Sequence, residues 1–372
     1  MKKVIVSVIN DLATDQRVHK VCTSLTAMGF EVLLVGRKLK NSLPLDARGY
    51  KMHRMKLLFV RGPLFYAEFN VRLFFFLVSR RTNLLVSNDL DTLLPNFLIS
   101  RIKHVPVVYD SHELFTETPE VINRPLVKGI WETLERSILP KLTDVITVNR
   151  SIADIFEAKY SIRVKVIRNV PPRIRSQQFK ARKELGLPEK TSILILQGAG
   201  INIQRGAEEL VEAMQYIENA LLLIIGSGDV LDSLKMLATR LELTNKVKFI
   251  GKLPYTELMH YTANANLGLT LDKDTNPNYR YSLPNKLFDY IHAGIPILAS
   301  PMVEIKRIID HYGVGETIEN HDPKHIAAKI SGMIHDEGKT AMYRANCKNA
   351  AQELCWEHEE LTLKEIYGKF IA

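Results

Sequence analysis

The chain has few cysteines and no long hydrophobic run, and each shortage excludes a class of protein. Three of its 372 residues are cysteines, and Cys22, Cys347 and Cys355 lack the spacing of metal ligands. We therefore expect reduced thiols in a cytoplasmic protein rather than a disulfide-linked secreted one. No apolar run approaches the roughly 20 residues that a membrane-spanning helix needs. We expect no signal peptide, because Lys2 and Lys3 lead straight into a strand-like segment without a cleavage site behind it.

The excess of positive charge lies in one half of the chain. The formal net charge is +9. Residues 1–185 hold 31 Lys and Arg against 17 Asp and Glu, whereas residues 186–372 hold 19 against 24. A basic half indicates an anionic partner such as a membrane surface, nucleic acid or a phosphorylated substrate. Because the sequence contains no recognised nucleic-acid motif, we predict no nucleic-acid partner.

Short β-rich runs alternate with longer amphipathic segments along the whole chain. The first run, at residues 4–9, is followed by Asp15, a good N-cap residue, and by apolar residues at helical spacing up to Gly29. This alternation predicts an α/β protein with parallel sheets that carry helices on both faces. The predicted strands lie at residues 4–9, 31–36, 84–87, 105–109, 145–148, 164–167, 192–197, 221–225, 247–250, 267–271 and 295–299.

The length of the chain and one polar stretch indicate two domains. A chain of 372 residues is too long for one ordinary core. Between residues 168 and 183 the apolar periodicity is lost and two prolines stand together, which is typical of a linker. We predict doubly wound domains at residues 1–175 and 185–355, and a final helix at 356–372 that crosses back to the first domain. Because ligands bind at the carboxyl ends of strands in such folds, we expect a cleft where the two sheets face each other.

The segment at residues 283–299 carries the clearest chemical signal. Pro284 and Asn285 begin a helix, Gly294 ends it, and Lys286 and Asp289 share one face near its N-terminus. A cation beside the free N–H groups of a helix N-terminus is suited to phosphate, and a carboxylate one turn on can accept hydrogen bonds from a ribose diol. A solvated Lys–Asp pair on an ordinary helix explains the same spacing, so the residues alone leave both interpretations open.

A second phosphate signal follows the strand predicted at residues 192–197. Gly198 and Gly200 lie in a loop, and Arg205 stands just before a helix, which suits an anion site. The loop lacks the G-x-G-x-x-G spacing of a dinucleotide-binding fold. A plain strand-to-helix turn with an exposed arginine is the alternative for this segment.

Together these segments resemble the donor-binding domain of a GT-B-fold glycosyltransferase, most similar to glycosyltransferase family 4. Residues 225–229 resemble the family's glycine turn, 247–254 its nucleobase-side turn, 265–269 the strand that leads to the sugar site, and 166–170 the segment before the linker. The resemblance implies two Rossmann-like domains and the transfer of a sugar from a nucleotide-diphosphate donor to a glycan or lipid-linked acceptor. It further implies retention of configuration, no metal or other cofactor, and a role in cell-surface polysaccharide or glycoconjugate synthesis.

Carried over position by position, the resemblance implies roles for individual residues. Arg205 and Lys286 match the two cations that hold the donor diphosphate, and His112 matches a histidine near the anomeric carbon. These three form the expected catalytic set. Asp289 matches the second acidic residue of the family's Glu-x7-Glu motif, whereas Tyr281 stands at the first and departs from the pattern. The expected donor contacts also include Gly198, Gly226, Lys252, Leu253 and Glu304. The expected acceptor-side residues are Arg17, Asn88 and Asp89.

Two Asp-x-Asp tripeptides, which begin at Asp89 and Asp272, have the form that binds a metal in the other large glycosyltransferase fold. The chain contains 16 aspartates, enough for such tripeptides to arise by chance. Two cations and helix N-termini can also neutralise a leaving diphosphate without a divalent ion. We therefore predict no metal site.

Residues 57–81 mix aromatic and aliphatic residues with arginines. The segment could lie on an anionic membrane surface near a lipid-linked acceptor, or it could form a core helix with basic flanks, and the sequence leaves both open. We therefore expect a cytoplasmic enzyme for which the inner membrane face is a candidate partner.

Two rival functions are compatible with this fold. A sugar-nucleotide epimerase would need acid/base carboxylates and histidines clustered in the cleft, and the sequence shows no such cluster. A non-catalytic nucleotide-sugar-binding protein would not need to keep both Arg205 and Lys286.

Overall fold

Short aliphatic runs form two separate parallel sheets in the computed structural model, which describes residues 1–13, 15–40, 42–173 and 178–371. The chain packs as two units, one of Met1–Asn169 with Glu359–Ala372 and the other of Val170–His358. The boundary between Asn169 and Val170 falls within the stretch predicted to be a linker. Part of that stretch, together with the end predicted for the first domain at residue 175, lies outside the described residues.

The N-terminal unit contains a seven-stranded sheet in the order β3-β2-β1-β4-β5-β6-β7, in which every neighbouring pair is parallel. Its central strands are aliphatic and buried because helices cover both faces of the sheet. The strands are β1 Lys3–Ser7, β2 Glu31–Lys38, β3 Lys51–Lys56, β4 Leu84–Asn88, β5 Val107–Ser111, β6 Asp144–Thr147 and β7 Val164–Val166. The helices are α1 Gln16–Ala27, α2 Pro63–Val78, α3 Leu93–Lys103, α4 Pro119–Ile122, α5 Pro125–Ile138 and α6 Arg150–Tyr160.

The C-terminal unit repeats the design with six parallel strands in the order β10-β9-β8-β11-β12-β13. The strands are β8 Ser192–Gly198, β9 Ala220–Gly226, β10 Val247–Ile250, β11 Leu267–Thr270, β12 Ile297–Ala299 and β13 Gly315–Thr317. The helices are α7 Ala207–Ala213, α8 Leu231–Arg240, α9 Tyr255–Ala263, α10 Pro277–Arg280, α11 Asn285–Ala293, α12 Val303–Tyr312, α13 Pro323–His335, α14 Glu337–Glu353 and α15 Trp356–Gly368.

In each sheet, successive strands are added first on one side of the initial strand and then on the other. Ligands bind at this reversal point in sheets of this type. The reversal falls between β1 and β4 in the N-terminal unit and between β8 and β11 in the C-terminal unit. The loops beyond the carboxyl ends of these strands separate at the reversal and leave a crevice. The predicted α/β fold class is confirmed, with two parallel, Rossmann-like sheets.

The last helix, α15, is shared between the two units. Residues up to His358 belong to the C-terminal unit and those from Glu359 onward to the N-terminal unit. Within the N-terminal unit, the backbone N–H and Nε of Arg168 each donate to the Glu359 carboxylate at 2.7 Å. Ser24 Oγ donates to Glu360 at 2.6 Å. These bonds hold the end of the chain on the N-terminal unit.

The predicted N-cap of the first helix is confirmed, whereas the sequence did not predict the two strands β3 and β13. Asp15 caps α1 by accepting a hydrogen bond from the backbone N–H of Val18 at 3.0 Å. The sequence KMHRMK of β3 is largely polar and pairs only with β2, so its composition does not indicate a strand. β13 has only three residues. Both lie at sheet edges, where solvent exposure weakens the apolar pattern that predicts strands.

Close packing of α11 on β11 fixes the helix that carries Lys286. Tyr290 of α11 is fully buried, and its hydroxyl lies 3.2 Å from the carbonyl oxygen of Ile195 and 3.1 Å from that of Leu269. The ring rests on Gly268, where an added Cβ would lie 2.4 Å from Tyr290 Cγ. Glycine at this position therefore allows the helix to approach the strand.

We expect Gly268→Ala to destabilise the C-terminal unit by about 1–3 kcal/mol, because the added methyl group overpacks this contact. The control is Gly332→Ala in the interior of α13, where an added Cβ meets nothing within 4 Å. There the change should stabilise the helix by about 0.5–1 kcal/mol. Chemical unfolding of both variants measures the difference, and equal stabilities would contradict the packing described.

Candidate active site

The glycine turns of the C-terminal unit bring two loops together at the ends of β8 and β9. Gly226 has φ of +144°, and an added Cβ would lie 1.8 Å from the carbonyl oxygen of Gly198. The backbone N–H of Ser227 donates to that oxygen at 3.1 Å, and the N–H of Ile201 donates to the carbonyl of Ser227 at 2.9 Å. A side chain at position 226 would separate these loops. The structure therefore brings the predicted donor-site glycines 198 and 226 into contact.

Two predicted cations converge on one buried carboxylate at the point where this sheet reverses. Asp272 lies just beyond β11 and is fully buried. Arg205, in the loop after β8, donates from Nη1 to Asp272 Oδ1 at 2.9 Å. Lys286, in the first turn of α11, places Nζ 3.6 Å from Asp272 Oδ2. Thr270 Oγ1 donates to the same Oδ2 at 3.1 Å. Residues far apart in sequence thus form one charged cluster.

The electrostatics of the cluster favour the charged forms of Arg205 and Asp272. Burial acts to lower the pKa of Arg205, but the charge and hydrogen bond of Asp272, together with Tyr279, outweigh it and raise that pKa. Burial also opposes the ionisation of Asp272, yet Lys286 and Arg205 together lower its pKa. The pKa of Lys286 is lowered by burial, which Asp272 only partly offsets. The three groups carry a net charge of one positive unit when all are ionised.

The two cations are only partly covered. The side chain of Arg205 is 25% exposed and that of Lys286 is 13% exposed, whereas Asp272 is inaccessible. The guanidinium of Arg205 lies 4.2 Å from the ring centroid of Tyr279 in α10, which fixes its plane. Arg205 Nε is buried without a hydrogen-bond partner among the described residues. The pair can therefore meet an anion while the carboxylate behind it cannot.

Asp289, the predicted ribose ligand, lies in a network of neutral groups. Its Oδ2 accepts from Gln197 Nε2 at 2.9 Å and its Oδ1 accepts from the Tyr255 hydroxyl at 2.9 Å. The side-chain oxygen of Gln197 in turn accepts from Thr262 at 2.7 Å. The network positions the carboxylate at the end of β8, one turn of α11 beyond Lys286. Tyr281, at the position of the family's first acidic residue, directly follows α10.

The remaining predicted donor residues surround the same edge of the sheet. Lys252 is exposed and Leu253 is half-buried in the loop after β10, where Leu253 packs against the core. Glu304 lies in the first turn of α12, is buried, and accepts from Arg307 Nη1 at 2.7 Å.

Asp272, Gln197, Tyr255 and Tyr279 were not predicted as site residues. The tripeptide that begins at Asp272 was noted only as a candidate metal motif. Its two aspartates separate in the structure, since Asp274 pairs with Arg280 at 3.0 Å on the surface. Among the residues described, no group of three or more His, Cys, Asp or Glu side chains is arranged to hold a metal ion. The sequence did contain one signal for the role of Asp272, because this aspartate directly follows a predicted buried strand at the reversal point of the sheet.

The N-terminal unit contains a second buried ion cluster at the carboxyl edge of its sheet. Arg17 binds Asp110 with two donors, Nη2 to Oδ1 at 2.6 Å and Nε to Oδ2 at 3.2 Å, and its Nη1 donates to the Ile167 carbonyl at 2.7 Å. Arg17 is 3% exposed, so it does not present its guanidinium to a ligand. Arg17 was predicted to lie on the acceptor side, and the structure places it beneath the surface of the N-terminal unit.

His112 lies between two aspartates. Its Nδ1 is 3.2 Å from Asp89 Oδ2 and its Nε2 is 3.7 Å from Asp110 Oδ2, while its backbone N–H donates to Asp89 Oδ1 at 2.7 Å. Burial acts to lower the pKa of His112, but the charges of Asp89 and Asp110 outweigh it and raise that pKa to about 9. At neutral pH the ring is therefore an imidazolium, which donates hydrogen bonds and cannot serve as a general base.

The third acceptor-side residue predicted, Asn88, is buried at the end of β4. Its Nδ2 donates to the carbonyl of Ser7 at 2.9 Å, which ties β4 to β1 across the reversal point. Asp91, two residues after Asp89, is also buried, and burial together with the charge of Asp89 raises its pKa. Asp89 itself has φ of +58° and ψ of 168°, a rarely populated backbone conformation for a residue other than glycine, at the point where the chain leaves the strand.

We expect the charge of His112 to stabilise the N-terminal unit below neutral pH. The folded-state pKa of about 9 exceeds the unfolded value of about 6.5. The contribution is therefore complete below about pH 6.5 and is lost as the pH rises through 9. The stability difference between the wild type and His112→Gln should shrink across this range in chemical unfolding experiments. His335→Gln, which removes an exposed histidine of α13, is the control. A difference independent of pH would contradict the ion cluster.

In the part of the chain that the structure describes, none of the helices has both the length and the apolar character that a membrane-spanning segment requires.

Comparison with known proteins places both units in one enzyme class. Residues 177–354 match the family model described as glycosyl transferases group 1, and residues 15–172 match that of glycosyltransferase family 4. The chain is 22% identical over 297 residues to the D-inositol 3-phosphate glycosyltransferase of Corynebacterium jeikeium, which covers 73% of this chain and 68% of that protein. The chain spans only 48% and 37% of the length of two further curated relatives.

Solved structures match the fold over the whole chain. Sucrose-phosphate synthase from Thermosynechococcus elongatus has a TM-score of 0.80 at 17% identity, covering 100% of this chain and 99% of that one. HepE of Anabaena in complex with UDP and glucose has a TM-score of 0.75 at 17% identity, covering 99% and 100%. At these identities the likeness shows the fold alone. With the two family models and the paired Rossmann-like sheets, it confirms the expected class: the chain belongs to the GT-B-fold glycosyltransferases of the family 4 type.

Proposed function

We propose that this glycosyltransferase moves a sugar from a nucleotide-diphosphate donor to a glycan or lipid-linked acceptor with retention of configuration, and that the C-terminal unit holds the donor. The observation that carries the proposal is the convergence of Arg205 and Lys286 at the reversal point of the second sheet. Two partly exposed cations beside the N-terminus of α11 form a site for the diphosphate.

The chemistry required of this site is the stabilisation of a leaving group. As the bond between the sugar and the diphosphate breaks, negative charge grows on the diphosphate oxygens. Arg205 and Lys286 stabilise that charge more strongly in the transition state than in the bound donor. In a retaining reaction of this kind the leaving diphosphate can take the proton of the acceptor hydroxyl. No side chain then has to act as nucleophile or base, which agrees with the protonated state of His112.

The residues around the diphosphate site suit the rest of the donor. Asp289 is held at the edge of the sheet by Gln197 and Tyr255, where its oxygens can accept from the hydroxyls of a ribose. Known relatives support a nucleotide-sugar donor, since HepE was solved with UDP-glucose. On the acceptor side, we assign to His112 a positive charge beside the substrate, held between Asp89 and Asp110, and to Arg17 the positioning of Asp110.

Arg205→Ala and Lys286→Ala should each lower the transfer rate by about 100-fold, or about 3 kcal/mol, because each removes one charge that stabilises the transition state. Initial rates of sugar transfer measure the effect, and circular dichroism verifies the fold. Arg280→Ala is the matched control, since this nearby arginine is paired with Asp274 on the surface. Near-normal transfer by both site variants would refute the assignment of the donor site.

Transfer should persist in excess EDTA. The positive charge that the leaving diphosphate needs comes from Arg205 and Lys286, and Asp272 is already engaged by both of them. A rate that vanished with EDTA and returned with Mn²⁺ would show instead that a divalent ion supplies this charge.

A membrane surface is the partner that best suits the exposed side of α2. One stripe of this helix, Phe65, Phe69, Leu73 and Leu77, is buried in the N-terminal unit, whereas the rest of its apolar residues are not. The helix thus combines a core face with an exposed one. We define the apolar face as the exposed residues Leu64, Val71, Phe75 and Val78 of α2 with Leu94, Leu98 and Ile102 of the adjacent α3.

Cations lie at the end of this apolar face. Arg80 and Arg81 follow α2 and are exposed, and Arg101 of α3 lies over the ring of Phe97 at 5.0 Å. Apolar side chains that enter the headgroup region, with cations beside them, are typical of reversible binding to anionic lipid. We propose that this face holds the enzyme at the membrane, where a lipid-linked acceptor would be found.

Binding to vesicles with anionic lipid should be weakened by high salt and further by Arg80→Glu with Arg81→Glu, since each cation near the surface contributes about 1 kcal/mol. Co-sedimentation measures the bound fraction. The control pair is Arg240→Glu with Lys248→Glu, which changes the same charge on the surface of the C-terminal unit and should leave binding unchanged. Equal and negligible binding to neutral and anionic vesicles would favour a soluble acceptor.

A further inference from the structure

Asp272 is a negative charge placed inside the site proposed to bind a negatively charged ligand. The carboxylate is fully buried and lies in contact with both cations of the diphosphate site. Its Oδ2 also accepts a hydrogen bond from Thr270 Oγ1 at 3.1 Å. A site built only for tight diphosphate binding would omit such a charge, because it repels the ligand.

The substrate and the product of the proposed reaction differ in charge at this site. In a nucleotide sugar each of the two phosphates carries one ionised oxygen, so the diphosphate has about two negative charges. Once the sugar has left, the terminal phosphate gains a second ionisable oxygen with a pKa of about 6, and the product has nearly three negative charges at neutral pH. The two cations attract the product more strongly than the donor for this reason. Left uncorrected, that attraction would slow product release.

A fixed anion corrects this imbalance, since its repulsion also grows with the charge of the ligand. We propose that Asp272 is an internal counter-ion that keeps Arg205 and Lys286 in place while the site is empty and weakens the binding of the nucleoside diphosphate product more than that of the donor. The inference rests on the proposed function and assigns to Asp272 a role in positioning and product release. Asp272 does not touch the reacting atoms.

The test compares nucleoside diphosphates with their glucose esters. Binding of UDP, GDP, ADP and dTDP, each beside its glucose ester, and of inorganic pyrophosphate is measured by calorimetry on the wild type and on Asp272→Asn. We expect Asp272→Asn to bind pyrophosphate and the preferred nucleoside diphosphate on the order of 10-fold more tightly, because one unit of repulsion is removed at short range. The corresponding glucose ester should gain less. Product inhibition of transfer should strengthen to match.

Asp274→Asn is the matched control, because it removes the exposed carboxylate two residues further on, and it should change none of these affinities. Unchanged or equally weakened binding of product and donor in Asp272→Asn would show a purely structural carboxylate and overturn the inference. Asp272→Ser removes the same charge with less volume and is used if the asparagine variant does not fold. Failure of both to fold would likewise assign Asp272 a structural role only.

Failure of the proposed function gives a different result. If Arg205→Ala binds pyrophosphate as the wild type does, or if the wild type binds none of the nucleotide pairs, the diphosphate site itself is wrong. If Arg205→Ala loses binding while Asp272→Asn leaves the preference between product and donor unchanged, the site is right and only the role of Asp272 is wrong.

Discussion

In each unit of this enzyme a fully buried aspartate at the carboxyl edge of the sheet holds two cationic side chains. Asp272 pairs with Arg205 and Lys286, and Asp110 pairs with Arg17 and His112. A buried charge without a partner costs several kcal/mol, so each aspartate requires its cations and each cation requires its aspartate. The loops and helices that carry these residues are thereby fixed against the strand ends. The charged parts of both sites follow from this one constraint.

The two clusters differ in how much of their positive charge is available. In the N-terminal unit Arg17 is buried with its donors engaged, and both ring nitrogens of the imidazolium of His112 face aspartates. In the C-terminal unit both cations are partly exposed and outnumber the carboxylate. An exposed excess of one positive unit in the C-terminal unit, and positive charge matched by aspartates in the N-terminal unit, agree with the roles that we propose. In that proposal the C-terminal unit binds the diphosphate and the N-terminal unit orients the neutral hydroxyls of the acceptor.

Local sequence was sufficient for features that depend on neighbouring residues. The cation at the start of α11, the arginine before α7 and the N-cap of α1 each follow from residues within a few positions of one another. The alternation of strands and helices likewise predicted both sheets except for the edge strands β3 and β13, whose sequences are polar or very short. The sequence of each of these segments is therefore enough to predict its structure.

Features that depend on contacts between residues far apart in the sequence could not be predicted. Asp272 is 67 residues from Arg205, and only the strand order β8-β11 brings the two loops together. The burial of Arg17 depends in the same way on Asp110, 93 residues away. Asp289 was predicted as a ligand from its position on the helix, yet its partners Gln197 and Tyr255 come from two other elements. In each case the role of a residue depends on a contact with a residue that is distant in the sequence.

The most direct test of the account is a crystal structure of the enzyme with its nucleoside diphosphate bound. We expect the diphosphate oxygens within hydrogen-bond distance of both the Arg205 guanidinium and Lys286 Nζ, with the ribose hydroxyls facing Asp289. Asp272 should remain buried behind the two cations. A diphosphate bound elsewhere, with Arg205 and Lys286 still paired only to Asp272, would contradict the account.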